Sequence, residues 1–435
     1  MKPRRLSDSP LPRSPLDFAY RLAVRPAGAE GIAVLAEVPE PYALHVLKAL
    51  RLVLAWSGEP DTHAPLLRRA EMERWEATVL ALPVHEGLWE PLVVLAGQLK
   101  RPARTQGDAI GKTSLAITDW ATGAGAIETA LLFAEAAALA WPENARFAWV
   151  AGRLFRTHGR YHLSEYWLRR AARVAVWSDD FETQDLALNS LGNLFSQQGS
   201  FVDALSYLTR ALAVARKHRI KGRQGAVTHD LFAVAVLTGD HSGAERLAVG
   251  AFQLYGPNHP NLSKLAHDVV QLWLRQGRFP LALPVLRALL RFFDAPQDRL
   301  RVLASTARAA GACGERQVYE RAWIDAWSIV HQPTPEIAAV MPAVLVDLGL
   351  GAASLSDWSH ATEAFSLALE SAQERGAHEE AANAEMGLEM VGRYERVEIS
   401  RRVPRGPAAQ LAEAFVHSLE EAGVTAGREG STPPP

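Results

Sequence analysis

One stretch of the chain has the residue types of a phosphate-binding loop. QGDAIGKTS (106–114) carries most of the pattern G-x-x-x-x-G-K-S/T. In such a loop glycine leaves backbone N–H groups facing phosphate, while the lysine and hydroxyl reach phosphate and metal. Here Gln106 stands in place of the first glycine, KRPART precedes it where an apolar strand belongs, and no strand–helix alternation follows. The stretch therefore reads as the polar start of a helix, and a nucleotide-dependent enzyme centred on Lys112 is the weakest of three functional readings. The 14 histidines are scattered, with no His-Glu-x-x-His pair and no local Ser/His/Asp set. The single cysteine, Cys313, allows neither an internal disulfide nor a cysteine zinc cage. No catalytic residue, cofactor or metal is assigned, and the expectation is a non-enzymatic, reduced cytoplasmic protein.

The polar residues that remain must be positioned by something, and the chain is repetitive. AWVAGRLFRTHGRYHLSEYWLRRA (148–171), LNSLGNLFSQQGSFVDALSYLTRA (188–211) and LFAVAVLTGDHSGAERLAVGA (231–251) align without gaps. In each, Gly159, Gly199 or Gly239 is followed by Tyr161, Phe201 or His241, then by Ser164, Ala204 or Ala244. Leu168, Leu208 or Ala248 comes next, then Ala171, Ala211 or Ala251, with Gly152, Gly192 or Phe232 upstream. Small residues on two successive helices let their backbones approach, and a glycine closes the first helix because its C′ residue is often left-handed. Each unit is then an antiparallel helical hairpin that needs a neighbour to cover its apolar face.

This signature resembles the tetratricopeptide repeat, most closely at Leu191, Gly192, Phe195, Gly199, Phe201, Ala204, Leu208 and Ala211. Gly125, Gly277 and Ser356 mark further units. The anchors at 125, 159, 199, 239 and 277 are 34, 40, 40 and 38 residues apart, between the usual repeat and the longer kinesin-light-chain-like version. LYGPNHPNL (254–262) is similar to the linker of that longer class. The resemblance implies an all-α, right-handed superhelical solenoid of stacked antiparallel helix hairpins. About seven units span 106–375, one of them degenerate near 297–330, where Gly311 and Gly314 both leave poor packing residues. Residues 1–20 are expected as a disordered arm and 21–105 as a helical cap or small helical domain. Capping helices are expected over 376–422 and a disordered tail over 423–435.

The resemblance also implies which residues line the concave groove. These are Arg146, Trp149, Arg153 and Arg156 at a cationic end, then Asn189, Asn193 and Gln197, then His229, His267, Gln271 and Arg275. Amides can pair with the backbone of an extended peptide, and arginine with a carboxylate or phosphate. His229-Asp230 and His267-Asp268 fall at equivalent places in successive units; a metal site would need them closer than the roughly 10 Å between packed helices. The implied partner is a protein or peptide segment.

Composition agrees with that reading. Of 435 residues 48% are apolar and 22% charged, and 46 basic against 48 acidic residues give a net charge of −2, which argues against a general nucleic-acid binder. Even the Arg-rich run LRRAAR (168–173) sits on a second helix, which usually faces outward. The excess of arginine over lysine, with abundant alanine, fits a GC-rich bacterial genome. No stretch approaches roughly 18 uninterrupted apolar residues, so membrane insertion is not expected. The leading function is a scaffold or adaptor holding a partner segment, with self-association of uncapped ends left open. The runner-up is a peptide- or signal-responsive bacterial regulator whose solenoid is the sensing domain.

Overall fold

The computed structural model describes residues 29–58, 68–220, 222–332, 334–395 and 405–429, and every regular element among them is helical. The expected arm at 1–20 lies outside these residues. The chain divides into two compact units, Met1–Arg223 and Gln224–Pro435.

The first unit holds α1 (Ala29–Glu37), α2 (Ala43–Gly58), α3 (Arg69–Leu80), α4 (Trp89–Leu99), α5 (Gly107–Gly123), α6 (Ile127–Ala140), α7 (Ala145–Thr157), α8 (Tyr161–Trp177), α9 (Phe181–Gln197) and α10 (Phe201–Lys217). The pairs α5/α6, α7/α8 and α9/α10 are antiparallel hairpins. Both α7 and α9 start on a capping side chain, Asn144 accepting from the Phe147 N–H and Asp180 from the Thr183 N–H. The hairpins close at Gly159 (φ +71°) and Gly199 (φ +76°), where the Arg160 and Ser200 N–H groups reach back to the carbonyls of Phe155 and Phe195. Between the helices of a pair the backbones nearly touch: a Cβ at Gly152 would lie 2.7 Å from Leu168 Cγ, and one at Gly192 2.5 Å from Leu208 Cγ. That contact is the physical content of the repeat signature.

Helices α1–α4 share one apolar core with α5–α8. As a result α6 is buried on nearly every side. Glu37 fixes the cover, its carboxylate accepting from the Glu128 and Thr129 N–H groups at 2.9 and 2.8 Å and from the Thr129 hydroxyl at 2.8 Å. A negative charge at a helix N-terminus is stabilising.

The second unit contains most of α11 (Arg223–Leu237), then α12 (His241–Tyr255), α13 (Leu262–Arg275), α14 (Phe279–Leu289), α15 (Pro296–Cys313), α16 (Arg316–Val330), α17 (Pro335–Ser354), α18 (Trp358–Arg375), α19 (His378–Gly392) and α20 (Pro407–Glu429). The region expected to be degenerate is a complete hairpin, α15/α16, turned at Gly314. Its size pattern is inverted. The small residues lie between successive first helices, where a Cβ on Gly311 would meet the Gly351 carbonyl oxygen at 2.2 Å, and bulky Tyr319 and Trp323 fill the second helix. Ser356 occupies the turn between α17 and α18 with φ +59°, in the place of a glycine.

One described helix, α17, is long and apolar enough to cross a membrane by length and composition, with a mean hydropathy of 1.8 over its best window, although charged residues interrupt it. That window is 67% buried against its neighbours, as suits a core helix. After residue 376 the described residues hold α19 and, past residue 405, α20; residues 396–404 lie outside them. The final helix returns to α13 and α14 and runs helical to Glu429, past the expected end at 422; residues 430–435 lie outside the description.

Candidate functional site

The QGDAIGKTS segment enters α5 as regular helix. A Cβ at Gly107 would lie 2.3 Å from the Ala140 carbonyl oxygen, and one at Gly111 2.3 Å from the Phe147 ring. These glycines serve helix packing, and exposed Lys112 pairs with Asp108 one turn away at 3.2 Å. Burial and the neighbouring Glu315 push the Cys313 thiol up to about 11, so it stays protonated at neutral pH.

In the first unit, residues 146, 149, 153 and 156 recur at three- and four-residue spacing and so share one face of α7, opposite buried Phe147, Ala151, Leu154 and Phe155. Two guanidinium groups lie over the Trp149 ring, with Arg146 Cζ 4.3 Å and Arg153 Cζ 5.2 Å from its centroid. Its indole N–H donates to Ser190 Oγ on α9 at 3.0 Å, which fixes the ring against the next hairpin. Arg146 and Arg153 are exposed, and neither is ion-paired among the described residues. Arg156 is half-buried. On α9 the amides form a gradient: Asn189 is buried, Asn193 half-buried and Gln197 exposed. Asn189, expected as a groove contact, is thus turned into the protein. The face combines these two guanidinium charges, an anchored aromatic ring and the Asn193 and Gln197 amides.

The inner helices of the second unit are different. His229 is 7% exposed and both ring nitrogens are engaged: Nε2 donates to Asp268 Oδ2 at 2.9 Å and Nδ1 lies 3.3 Å from the Tyr255 hydroxyl. Half-buried His267 reaches the other oxygen of Asp268 at 3.4 Å. Half-buried Gln271 donates to Ser305 Oγ at 3.2 Å, Ser305 to Asp347 at 3.4 Å, and Arg308 to Asp347 at 2.7 Å. Only Arg275 stands exposed among the expected residues here. Burial alone would raise the Asp268 carboxyl, but the two histidine hydrogen bonds outweigh it and hold the group below the usual carboxylate range. Asp347 is shifted the other way, because its burial outweighs the opposing pull of Arg308 and Ser305. No group of three or more His, Cys, Asp or Glu among the described residues is arranged to hold a metal ion.

Sequence reasoning missed Ser190, Ser305, Arg308 and Asp347, and it noted Asp268 beside His267 without its bond to His229. All follow one rule: a residue at the fifth or ninth position of one hairpin bonds the sixth position of the next. Trp149 to Ser190, His229 to Asp268, Gln271 to Ser305 and Arg308 to Asp347 are its instances. Counting back from Gly314 and Ser356 as turn residues would have exposed the last two. The Arg-rich run on α8 is also only partly outward: Arg169 and Arg173 are exposed, but Arg170 is buried, which pulls its guanidinium below its ordinary range.

No sequence family and no curated protein matches the chain. Among solved structures it is similar to a Rap protein complexed with competence and sporulation factor, at 12% identity over 86% of this chain and 99% of that one, with a TM-score of 0.36. It is also similar to the Rap conjugation gene regulator of plasmid pLS20 in complex with a Phr peptide, at 14% identity over 83% and 100%, with a TM-score of 0.37. A third is the TPR2AB domain of yeast Sti1 in its pHSP90 complex, at 12% identity over 65% and 99%, with a TM-score of 0.27. On the geometry of its own hairpins, turned at positive-φ residues and packed small residue against leucine, the chain has the all-α fold of tetratricopeptide-repeat proteins.

Proposed function

We propose that the α7–α9 face binds an extended, acidic segment of a protein partner, and that the chain works as a non-enzymatic interaction scaffold. The observation that carries this is the Arg146–Trp149–Arg153 stack. Two neighbouring guanidinium groups with no acidic partner among the described residues repel each other and favour an anion between or beside them. A carboxylate accepts two parallel hydrogen bonds from one guanidinium, and a cation over an indole face is itself held in place. Asn193 and Gln197 offer amide donors and acceptors to the backbone of a passing strand. Because Ser190 already fixes the indole, little ordering is lost on binding. The inner helices of the second unit satisfy most of their polar groups on each other, which supports placing the contact in the first unit. The single protonated cysteine is in keeping with a reducing, cytoplasmic compartment.

The test is a displayed library of random dodecapeptides panned on the full chain, followed by fluorescence anisotropy of the selected sequences. Asp- or Glu-bearing peptides that lose roughly 30-fold or more in affinity for Arg146→Glu/Arg153→Glu support the reading, as loss of a hot spot would. Equal affinity for a variant of unchanged helicity overturns it.

A further inference from the structure

The C-terminal helix α20 does not continue the repeat. After α19, which covers α18, the chain returns past two hairpins and lays α20 on α13 and α14. Its contact is apolar: Leu411, Phe415 and Leu419 recur every four residues and are buried, flanked by Ala408 and Ala412. Phe415 meets Phe252 of α12 edge to face at 5.1 Å. Neither Glu413 nor Glu420 is ion-paired among the described residues, while Glu421 lies 3.3 Å from His417 one turn away.

The fit is also incomplete. On one side of α20 lies a half-open cleft of about 340 Å³, whose apolar wall (Val249, Val269, Leu272, Trp273, Ala408, Leu411) is joined by Ser242, Glu245 and Arg246. On the other lies a half-open cleft of about 360 Å³, where Pro280, Leu281, Pro284, Ala409, Ala412 and Val416 are joined by Glu413, His417 and Glu420. Alanines of α20 thus face space that larger side chains could use. Because α20 is covalently continuous with the hairpins, with Arg405 ten residues after Glu395 in sequence, in cis it needs only weak intrinsic affinity.

We infer that the α12–α14 surface is a second protein-binding site, occupied in cis by α20. Its partner is an amphipathic helix with a large apolar residue every fourth position and Leu- or Met-sized residues where α20 has Ala408 and Ala412. Such a helix fills both clefts and displaces α20. This site is separate from the α7–α9 face, and the two readings stand or fall independently.

The probe is a labelled peptide of residues 405–422 carrying Ala408→Leu and Ala412→Leu, titrated into the full chain and into its Phe415→Asp variant. The expected result is binding to Phe415→Asp at least about tenfold tighter than to wild type, because the internal competitor is weakened. The same peptide with Phe415→Asp should bind neither. If Phe415→Asp remains folded and binds no better than wild type, the inference is wrong. Hydrogen exchange on the unmodified chain decides the case in which that variant fails to fold. Amides of α20 exchanging about 100-fold faster than those of α13 support a displaceable helix, and equal protection overturns it.

Discussion

Residues in this protein act mainly through size and through which neighbour satisfies them. Gly192 shows the first: with 2.5 Å between its virtual Cβ and Leu208 Cγ, Gly192→Ala forces the hairpin apart. We expect a loss of about 1–3 kcal/mol, read from urea denaturation followed by circular dichroism. Asp268 shows the second. Its folded-state pKa is depressed, so the stability it contributes is present above the unfolded carboxylate value near 4 and is lost as pH falls through and below that value. Facing it are His229 and His267, with Tyr255 behind His229 and Gln271 beside His267. Acid unfolding of wild type should therefore include a limb below about pH 4 that is reduced in Asp268→Asn, as melting temperatures across pH 2–7 would show. Asp347, raised by burial, opposes this trend, since its protonation favours the folded form as pH falls.

At the scale of elements, the turns set the hairpins. Ser356 holds a left-handed conformation that an L-residue adopts at a cost of about 1–2 kcal/mol, while its side chain is exposed. Ser356→Gly should stabilise the chain by about 0.5–1 kcal/mol after the added freedom of the unfolded glycine is subtracted, measurable as a higher melting temperature. The turns at Gly159 and Gly199 were legible in the sequence because their signal is local: a glycine, another glycine seven before it (Gly152, Gly192) and a leucine nine after it (Leu168, Leu208). The α15/α16 hairpin was obscured because its Gly311 packs on Gly351 of α17, a contact between first helices of different hairpins. The return of α20 was not legible either. Its Leu411–Phe415–Leu419 face says that a helix is covered on one side, but nothing local says by what. The polar pairs linking one hairpin to the next lie some 40 residues apart in sequence, so no single window contains both partners.

For the whole molecule, the two units carry different versions of one inner face. In the second, His229, Asp268, Gln271, Ser305, Arg308 and Asp347 satisfy one another from hairpin to hairpin, a use of polar groups that orders the stack. In the first, α7 presents the Arg146 and Arg153 guanidinium groups, which have no ion pair among the described residues. Residues named from the repeat positions therefore separate into an exposed or half-buried set in the first unit, Arg146, Trp149, Arg153, Asn193 and Gln197, and a hydrogen-bonded set in the second, His229, His267 and Gln271, while Asn189 is buried. Changing Gln271→Ala should cost stability without altering peptide affinity, as parallel denaturation and anisotropy would show. The most direct measurement compares one selected acidic peptide on wild type, Arg146→Glu/Arg153→Glu and Arg146→Lys/Arg153→Lys. A ranking of wild type over Lys over Glu, spanning at least about 30-fold at constant helicity, is expected for paired guanidinium recognition. Three equal affinities would contradict it and remove the α7–α9 face as the working surface.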